Sequence, residues 1–186
     1  MIRALLLAAA FSLALPAADL PRSAGTLEFI SHTGEKVRIQ DLKGKVVAIE
    51  FLLTHCPGCK NGARTLAKLQ SEYKAKGLQV VGLAIDQGAG PKIPQFIAET
   101  GANFPIGVYD HDKAQAYLQV PIMIRWMMPT VAFIDRKGMI REQYLGDDPY
   151  MSPAMEEINF RKSIEKLLAE GAPRPAAAPA KASPKK

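Results

Sequence analysis

Cysteine is nearly absent from this chain of 186 residues: it occurs twice, at Cys56 and Cys59, and nowhere else. With no third cysteine there is no disulfide framework. A bridge between two residues this close in sequence closes a tiny loop and removes little unfolded-state entropy, which argues against a structural staple. The supply of metal ligands is also thin. A structural zinc site takes four, and only His32, His55 and His111 could supplement the pair. Acids are missing from Gly171 to Lys186, where Arg174, Lys181, Lys185 and Lys186 stand. Four of the six surplus positive charges therefore lie in that tail, and the remainder of the chain is close to neutral. No aromatics interleave with those cations, so a solvated basic tail is favoured over a nucleic-acid surface. No internal repeat is visible.

What is present is apolar: 48% of the residues are hydrophobic, enough for one well-packed domain with extensions at its ends. Residues 1–18 have the layout of a secretory signal. Arg3 provides the positive start, Ala4 to Leu15 the apolar run, and Pro16-Ala17-Ala18 the small residues near a cut site. The run is shorter than the ~20 residues of a membrane span. The expected location is therefore periplasmic or otherwise exported, with an uncut membrane anchor as the alternative. No cysteine follows the run, which excludes a lipid-anchored form. In an oxidising compartment a lone cysteine pair needs a partner system to set its redox state.

Residues 19–24 read as a linker and 25–170 as the domain, with a disordered Pro/Ala/Lys-rich tail over 171–186. Thr26 to Ile30 and Lys36 to Ile39 are strand candidates around a turn-like Ser31-His32-Thr33-Gly34. Val46 to Leu53 is almost continuously apolar and β-branched, as a strand buried on both faces should be. From Pro57 the period changes, and Cys59, Ala63, Leu66, Leu69 (or Gln70) and Tyr73 share one helical face. Pro57 suits the first helical position and Gly77 the residue past the end. Further strands are expected over Leu78 to Ile85, Phe104 to Tyr109, Thr130 to Asp135 and Met139 to Leu145. Further helices are expected over Pro91 to Thr100, over Asp112 to Leu118, and after Ser152-Pro153. The inner face of that last helix is marked by Met155, Ile158, Ile164 and Leu168. The alternation predicts an α/β sandwich with a central mixed sheet.

The run Thr54-His55-Cys56-Pro57-Gly58-Cys59 closes a buried strand and opens a helix, the placement of a redox dithiol. Disulfide exchange needs one thiolate to attack and a second thiol to resolve the mixed disulfide. The unpaired backbone N–H groups and positive dipole end of a helix stabilise a thiolate, so Cys56 is the expected nucleophile. Cys59, one turn further in, is the expected resolver. Glu50, in the middle of the apolar strand, is costly to bury unless it has a task. The alternative is a side chain that escapes to solvent or to Lys45. His55, if cationic, would stabilise the Cys56 thiolate; otherwise it is an ordinary loop histidine. Trp126, Met127 and Met128 fit either an adaptable apolar rim or simple core packing.

Three segments together resemble the thioredoxin-like redoxins: Gly44 to Phe51, Cys56-Pro57-Gly58-Cys59, and Met128-Pro129-Thr130 through Gly138. Within these the chain is most similar to the exported TlpA/ResA-type thiol–disulfide oxidoreductases, over about Gly25 to Leu168. The resemblance implies a three-layer α/β/α sandwich with an N-terminal β-hairpin and an extra strand–helix insertion. It implies Cys56 and Cys59 as the catalytic, redox-active pair, and Glu50 as general acid/base for Cys59. It implies a cis Met128–Pro129 bond across from Cys56, so that Met128, Pro129 and Thr130, with His55, form the substrate-binding surface. No cofactor or metal is implied. The implied partners are cysteine-containing protein substrates and an upstream membrane or exported redox partner. Reduction of cytochrome c cysteines before haem attachment, disulfide repair and oxidation of new proteins all use these parts. The chain departs from the family where His55 replaces the usual aromatic before the first cysteine, and in the longer, Met-rich lead-in Val120 to Met128. Two other resemblances bear on function. Thr54-His55-Cys56-Pro57 is similar to SCO-type copper chaperones, which have one more residue between their cysteines and a distal histidine opposite them; here methionines occupy the opposing loop, so a copper(I) site would be of Met/Cys type. Peroxiredoxins precede their nucleophile with a Pro-x-x-x-Thr-x-x pattern, and Ile49 and Leu53 stand at those positions here.

Overall fold

The computed structural model describes residues 19–170. The expected signal segment (1–18) and basic tail (171–186) lie outside the described residues. The strand Val46–Leu52 (β4) is buried at every position. Its even-numbered residues Val46, Ala48 and Leu52 join one apolar cluster, and its odd-numbered Val47, Ile49 and Phe51 join another. A strand buried on both faces needs cover on both sides, and the rest of the chain supplies it.

On β4's even face lie the helices Pro57–Tyr73 (α1), Ile93–Thr100 (α2) and Glu156–Glu170 (α4), which bring Leu66, Phe96, Phe160 and Ile164 into the first cluster. On the other face lie the helix His111–Leu118 (α3) and a hairpin of Glu28–Ile30 (β2) and Lys36–Arg38 (β3), contributing Leu118, Phe29 and Val37. The remaining strands are Arg22–Ser23 (β1), Leu78–Ala84 (β5), Ile106–Val108 (β6), Thr130–Ile134 (β7) and Met139–Tyr144 (β8). The central sheet has the order β1-β8-β7-β4-β5-β6, with β5 and β6 parallel to β4 and the neighbouring pairs β4/β7, β7/β8 and β8/β1 antiparallel. The expected mixed sheet, N-terminal hairpin and strand–helix insertion (β6 and α3) are all present.

Two expectations need correcting. The stretch 19–24, read as a linker, carries β1, which pairs with the edge of the sheet through Arg22 opposite Ile140. The last helix starts at Glu156 rather than at Pro153, because the Ser152 carbonyl accepts the N–H groups of both Met155 and Glu156 in a turn. That turn rotates the inner face. Met155 and Ile158 are 44% and 58% exposed, while Glu156, Phe160, Ser163, Ile164, Leu167 and Leu168 are buried.

Helix α1 follows its periodicity: Cys59, Ala63, Leu66, Leu69, Gln70 and Tyr73 are all buried. A final 3-10 turn, Lys74–Lys76, ends at Gly77 with φ 98°, a left-handed value that a side chain would resist. The sheet and α1 together set the site. β4 runs out at Leu52, and α1 begins five residues later above its carboxyl end, where parallel sheets present their reactive groups.

Candidate active site

Cys56 is the N-cap residue of α1, with extended backbone (φ −77°, ψ 124°) and Pro57 at the first helical position. Its N–H donates to the Leu53 carbonyl at 3.1 Å, and its own carbonyl accepts the first helical bond from Lys60 N–H at 3.1 Å. The residue is half-buried, and its Sγ lies 4.0 Å from the Met128 carbonyl oxygen. Cys59 is wholly buried one turn below. Its Sγ accepts the Leu53 N–H at 3.3 Å. Both thiols are free. Burial pushes the Cys59 thiol well above its ordinary value; neighbouring Glu50 adds to the rise, and the Leu53 N–H opposes it.

Glu50 does not escape to solvent or to Lys45. It is fully buried on β4's even face, registered against Gly82 of β5 and Val131 of β7. Neither of its carboxylate oxygens has a hydrogen-bond partner in the protein. A Cβ at Gly62 of α1 would stand only 2.7 Å from Glu50 Oε1, so the missing side chain of Gly62 is what admits the carboxyl against the helix. Burial holds the Glu50 carboxyl well above the usual carboxylate range, and the charges of Glu156 and Cys56 reinforce the rise. The dithiol thus has a protonatable group beneath its buried member.

The Met128–Pro129 bond is cis. Pro129 is buried beside the dithiol, its Cδ at 3.4 Å from where a Gly58 Cβ would stand. Gly146 holds the other side of this loop: its N–H donates to the Met127 carbonyl at 2.9 Å, and a Cβ there would overlap the Met128 carbonyl at 2.6 Å. The Met128 carbonyl therefore faces Cys56 from a loop pinned by close backbone packing. Thr130 takes a different part from the one expected. It is wholly buried, and its hydroxyl accepts the Trp126 indole N–H at 2.7 Å, so its side chain is unavailable to a substrate. Trp126 is half-buried and lies against His111 with ring centroids 5.2 Å apart, whereas Met127 is exposed. The ring packs, and the methionine remains at the rim.

His55 is next to Cys56 in sequence, but its imidazole is 69% exposed and Nδ1 sits 3.8 Å from Asp86 Oδ2. Asp86 is a site residue that sequence reasoning missed. At the end of β5 it accepts the Thr54 N–H (3.0 Å) and the Thr54 hydroxyl (2.6 Å), tying the loop before Cys56 to the sheet. Burial alone would raise the Asp86 carboxyl, but the Thr54 hydrogen bonds and Lys92 outweigh it and hold it below the ordinary range. The signal that could have found it was its position, directly after the apolar run of β5. The second omission is Glu156 on α4, 3% exposed, whose Oε1 accepts from Asn61 (3.0 Å) and Thr65 (2.8 Å) of α1. Among the described residues no cluster of three or more histidine, cysteine or acidic groups is arranged to hold a metal ion.

A family model described as Redoxin matches residues 15–158, which takes in every residue of this site. The chain belongs to the redoxin family. Among redoxin relatives it is 30% identical over 114 residues to the thiol-disulfide oxidoreductase ResA of Bacillus thuringiensis, covering 61% of this chain and 62% of that protein. It is 36% identical over 110 residues to ResA of Oceanobacillus iheyensis, covering 57% and 52%. The chain thus spans between half and two thirds of the curated relatives it matches. A Chlorobium tepidum structure, named for the thiol:disulfide interchange protein DsbE, superposes with a TM-score of 0.68 at 27% identity over 81% of this chain and 98% of that one. The thioredoxin-like redoxin fold expected from the sequence is the fold observed, on the TlpA/ResA-type branch.

Proposed function

We propose that the protein is an exported thiol–disulfide oxidoreductase that exchanges its Cys56/Cys59 dithiol with cysteines of protein partners. The observation that carries this reading is the division of labour between the thiols. Cys56 is half-exposed at a helix N-cap, and Cys59 is buried one turn below it beside the buried carboxyl of Glu50.

In the reducing direction, the Cys56 thiolate attacks one sulfur of a partner disulfide. The partner's S–S bond breaks, a Cys56–partner disulfide forms, and the other partner sulfur leaves as a thiolate. Cys59 then attacks Cys56 Sγ, its proton passing to the Glu50 carboxylate. The Cys56–partner bond breaks, the Cys56–Cys59 disulfide forms, and the second partner sulfur is released. Two electrons have moved from the dithiol to the partner. The oxidising direction is the same sequence reversed. The Met128 carbonyl borders Cys56, with the exposed Met127 preceding it in the chain, and an extended partner segment would lie along this loop. Export is supported by the Arg3 start and the apolar run Ala4 to Leu15. A mature N-terminus near Asp19, read by mass spectrometry from the periplasmic fraction, tests it; an intact Met1 there would overturn cleavage.

The exchange itself is tested by trapping. Cys59→Ser should accumulate a mixed disulfide between Cys56 and partner proteins, and Cys56→Ser should accumulate none. Equal trapping by both variants would refute the assigned roles. The reduction potential of the pair then sets the direction of electron flow: about −270 mV or below marks a reductant, and about −120 mV an oxidant.

A further inference from the structure

One buried titratable group has no part in the exchange as described: Glu156, at the start of α4. We propose that Glu156 is a positioning residue for the dithiol, forming with Glu50 a two-carboxyl pair across α1 that shares one proton and sets the pH at which Cys59 can be deprotonated. The inference rests on the reading of Glu50 as the proton acceptor of Cys59.

The geometry is that of one helical turn gripped from two sides. Asn61 and Thr65, which hold Glu156 Oε1 at 3.0 and 2.8 Å, bracket Gly62. At Gly62 the helix surface is bare, and a Cβ there would meet Glu50 Oε1 at 2.7 Å. One carboxyl therefore reaches this turn from β4 and the other from α4, in a region where both residues are buried. The ionisable groups facing Glu50 are Glu156 from α4 and Cys56 and Cys59 from the N-terminal turn of α1; each is neutral or negative. The nearby cations are committed elsewhere. Lys60 pairs with Glu99, Lys68 with Glu157, and Arg161 with Glu72 and Glu157. Among the described residues neither Glu50 nor Glu156 has a cationic partner. Two uncompensated carboxylates at low dielectric do not both ionise readily, so one keeps a proton. The direction of both groups agrees: burial raises Glu156 as well, against the hydrogen bonds from Thr65 and Asn61. Those two bonds favour Glu156 as the charged member. Its charge makes Glu50 the stronger base, and Glu50 is the one beneath Cys59. During resolution the proton leaves Cys59 Sγ for Glu50 as the Cys56–Cys59 bond forms. Glu156 touches no reacting atom.

The test is the pH dependence of mixed-disulfide resolution, measured by single turnover on the intact protein and on Glu156→Gln and Glu50→Gln in parallel. Glutamine at 156 keeps an oxygen for Asn61 and Thr65 but cannot carry the charge. The Glu156→Gln profile should rise at a pH lower by about one unit, the strength of coupling at which two sites titrate together. Glu50→Gln should lose that limb. If Glu50→Gln loses the limb while Glu156→Gln superposes on the native profile, the pairing is wrong and the role of Glu50 stands. An unaltered Glu50→Gln profile removes both readings. Carbon-13 titration of the two carboxyl groups in the native dithiol needs no variant. Coupled, two-step curves support the pair, and two independent one-step curves overturn it.

Discussion

Glu50→Leu should make this protein more stable while disabling its chemistry. The native carboxyl is fully buried with neither oxygen hydrogen-bonded to the protein. A buried polar group left unpaired costs about 1–3 kcal/mol, and leucine of similar volume removes that penalty and adds apolar contact with the cluster around Leu66 and Phe160. The expected gain at neutral pH is about 1–3 kcal/mol, or roughly 2–12 °C in Tm for a domain of this size. The gain must depend on pH, and its sign follows from the raised Glu50 value. The unfolded chain ionises this carboxyl near pH 4.3, whereas the folded protein holds its proton to higher pH. The folded state therefore binds more protons across that window, and native stability falls as pH rises through it. Leucine abolishes the slope. The margin of Glu50→Leu over the native protein should be smallest near pH 4 and widen toward the folded Glu50 value. Urea unfolding of the dithiol form at pH 4 to 8, with single-turnover exchange alongside, reads both effects. A Glu50→Leu protein less stable than the native one at pH 7, or a margin independent of pH, would refute the account of Glu50 as an uncompensated buried acid.

The other predictions concern neighbouring groups. Gly62→Ala places a methyl 2.7 Å from Glu50 Oε1. Relief of the helical glycine favours alanine by about 1 kcal/mol, so near-native stability with slowed resolution is expected in denaturation and single-turnover assays; unchanged kinetics would show that the carboxyl need not sit there. Thr54→Val removes the 2.6 Å hydroxyl bond to the largely buried Asp86 and should destabilise by about 1–3 kcal/mol. Because the Asp86 value is depressed, that contribution is present above its ordinary range and lost as pH falls through its folded value. The variant and native proteins should therefore converge in acid unfolding; a gap that persists at the lowest pH would count against it. The dithiol form should itself lose stability as pH rises above about 8.5, because the unfolded chain ionises Cys59 there and the folded one does not. Alkaline unfolding of the dithiol and disulfide forms side by side measures this, and identical pH dependence would contradict it.

Much of the fold was legible in the order of apolar residues. The run Val46 to Leu52, apolar but for Glu50, marked a central strand, because a strand covered on both faces has no polar face to show. The period of Cys59, Ala63, Leu66 and Tyr73 marked α1, and Pro57 and Gly77 marked its ends. The same logic misplaced the start of α4. Met155 was counted inward for its apolarity, but the inward position went to Glu156, because Asn61 and Thr65 were waiting on a helix almost a hundred residues away. Periodicity sees the composition of one segment and not the partners that another segment brings. The same limit hid Asp86 behind β5 and turned Thr130 from a substrate contact into a hydrogen-bond partner of Trp126. By itself the sequence determined the chemistry available: two thiols two residues apart at a strand-to-helix junction, one acid in the strand below, and a proline opening another strand. Only the tertiary structure decided the surroundings of those groups. It left Cys56 half-buried and Cys59 wholly buried, set Glu50 under Gly62 without a hydrogen-bond partner in the protein, and drew a second carboxyl to the same turn. Burial and charge coupling depend on distances in space, which local sequence patterns do not encode.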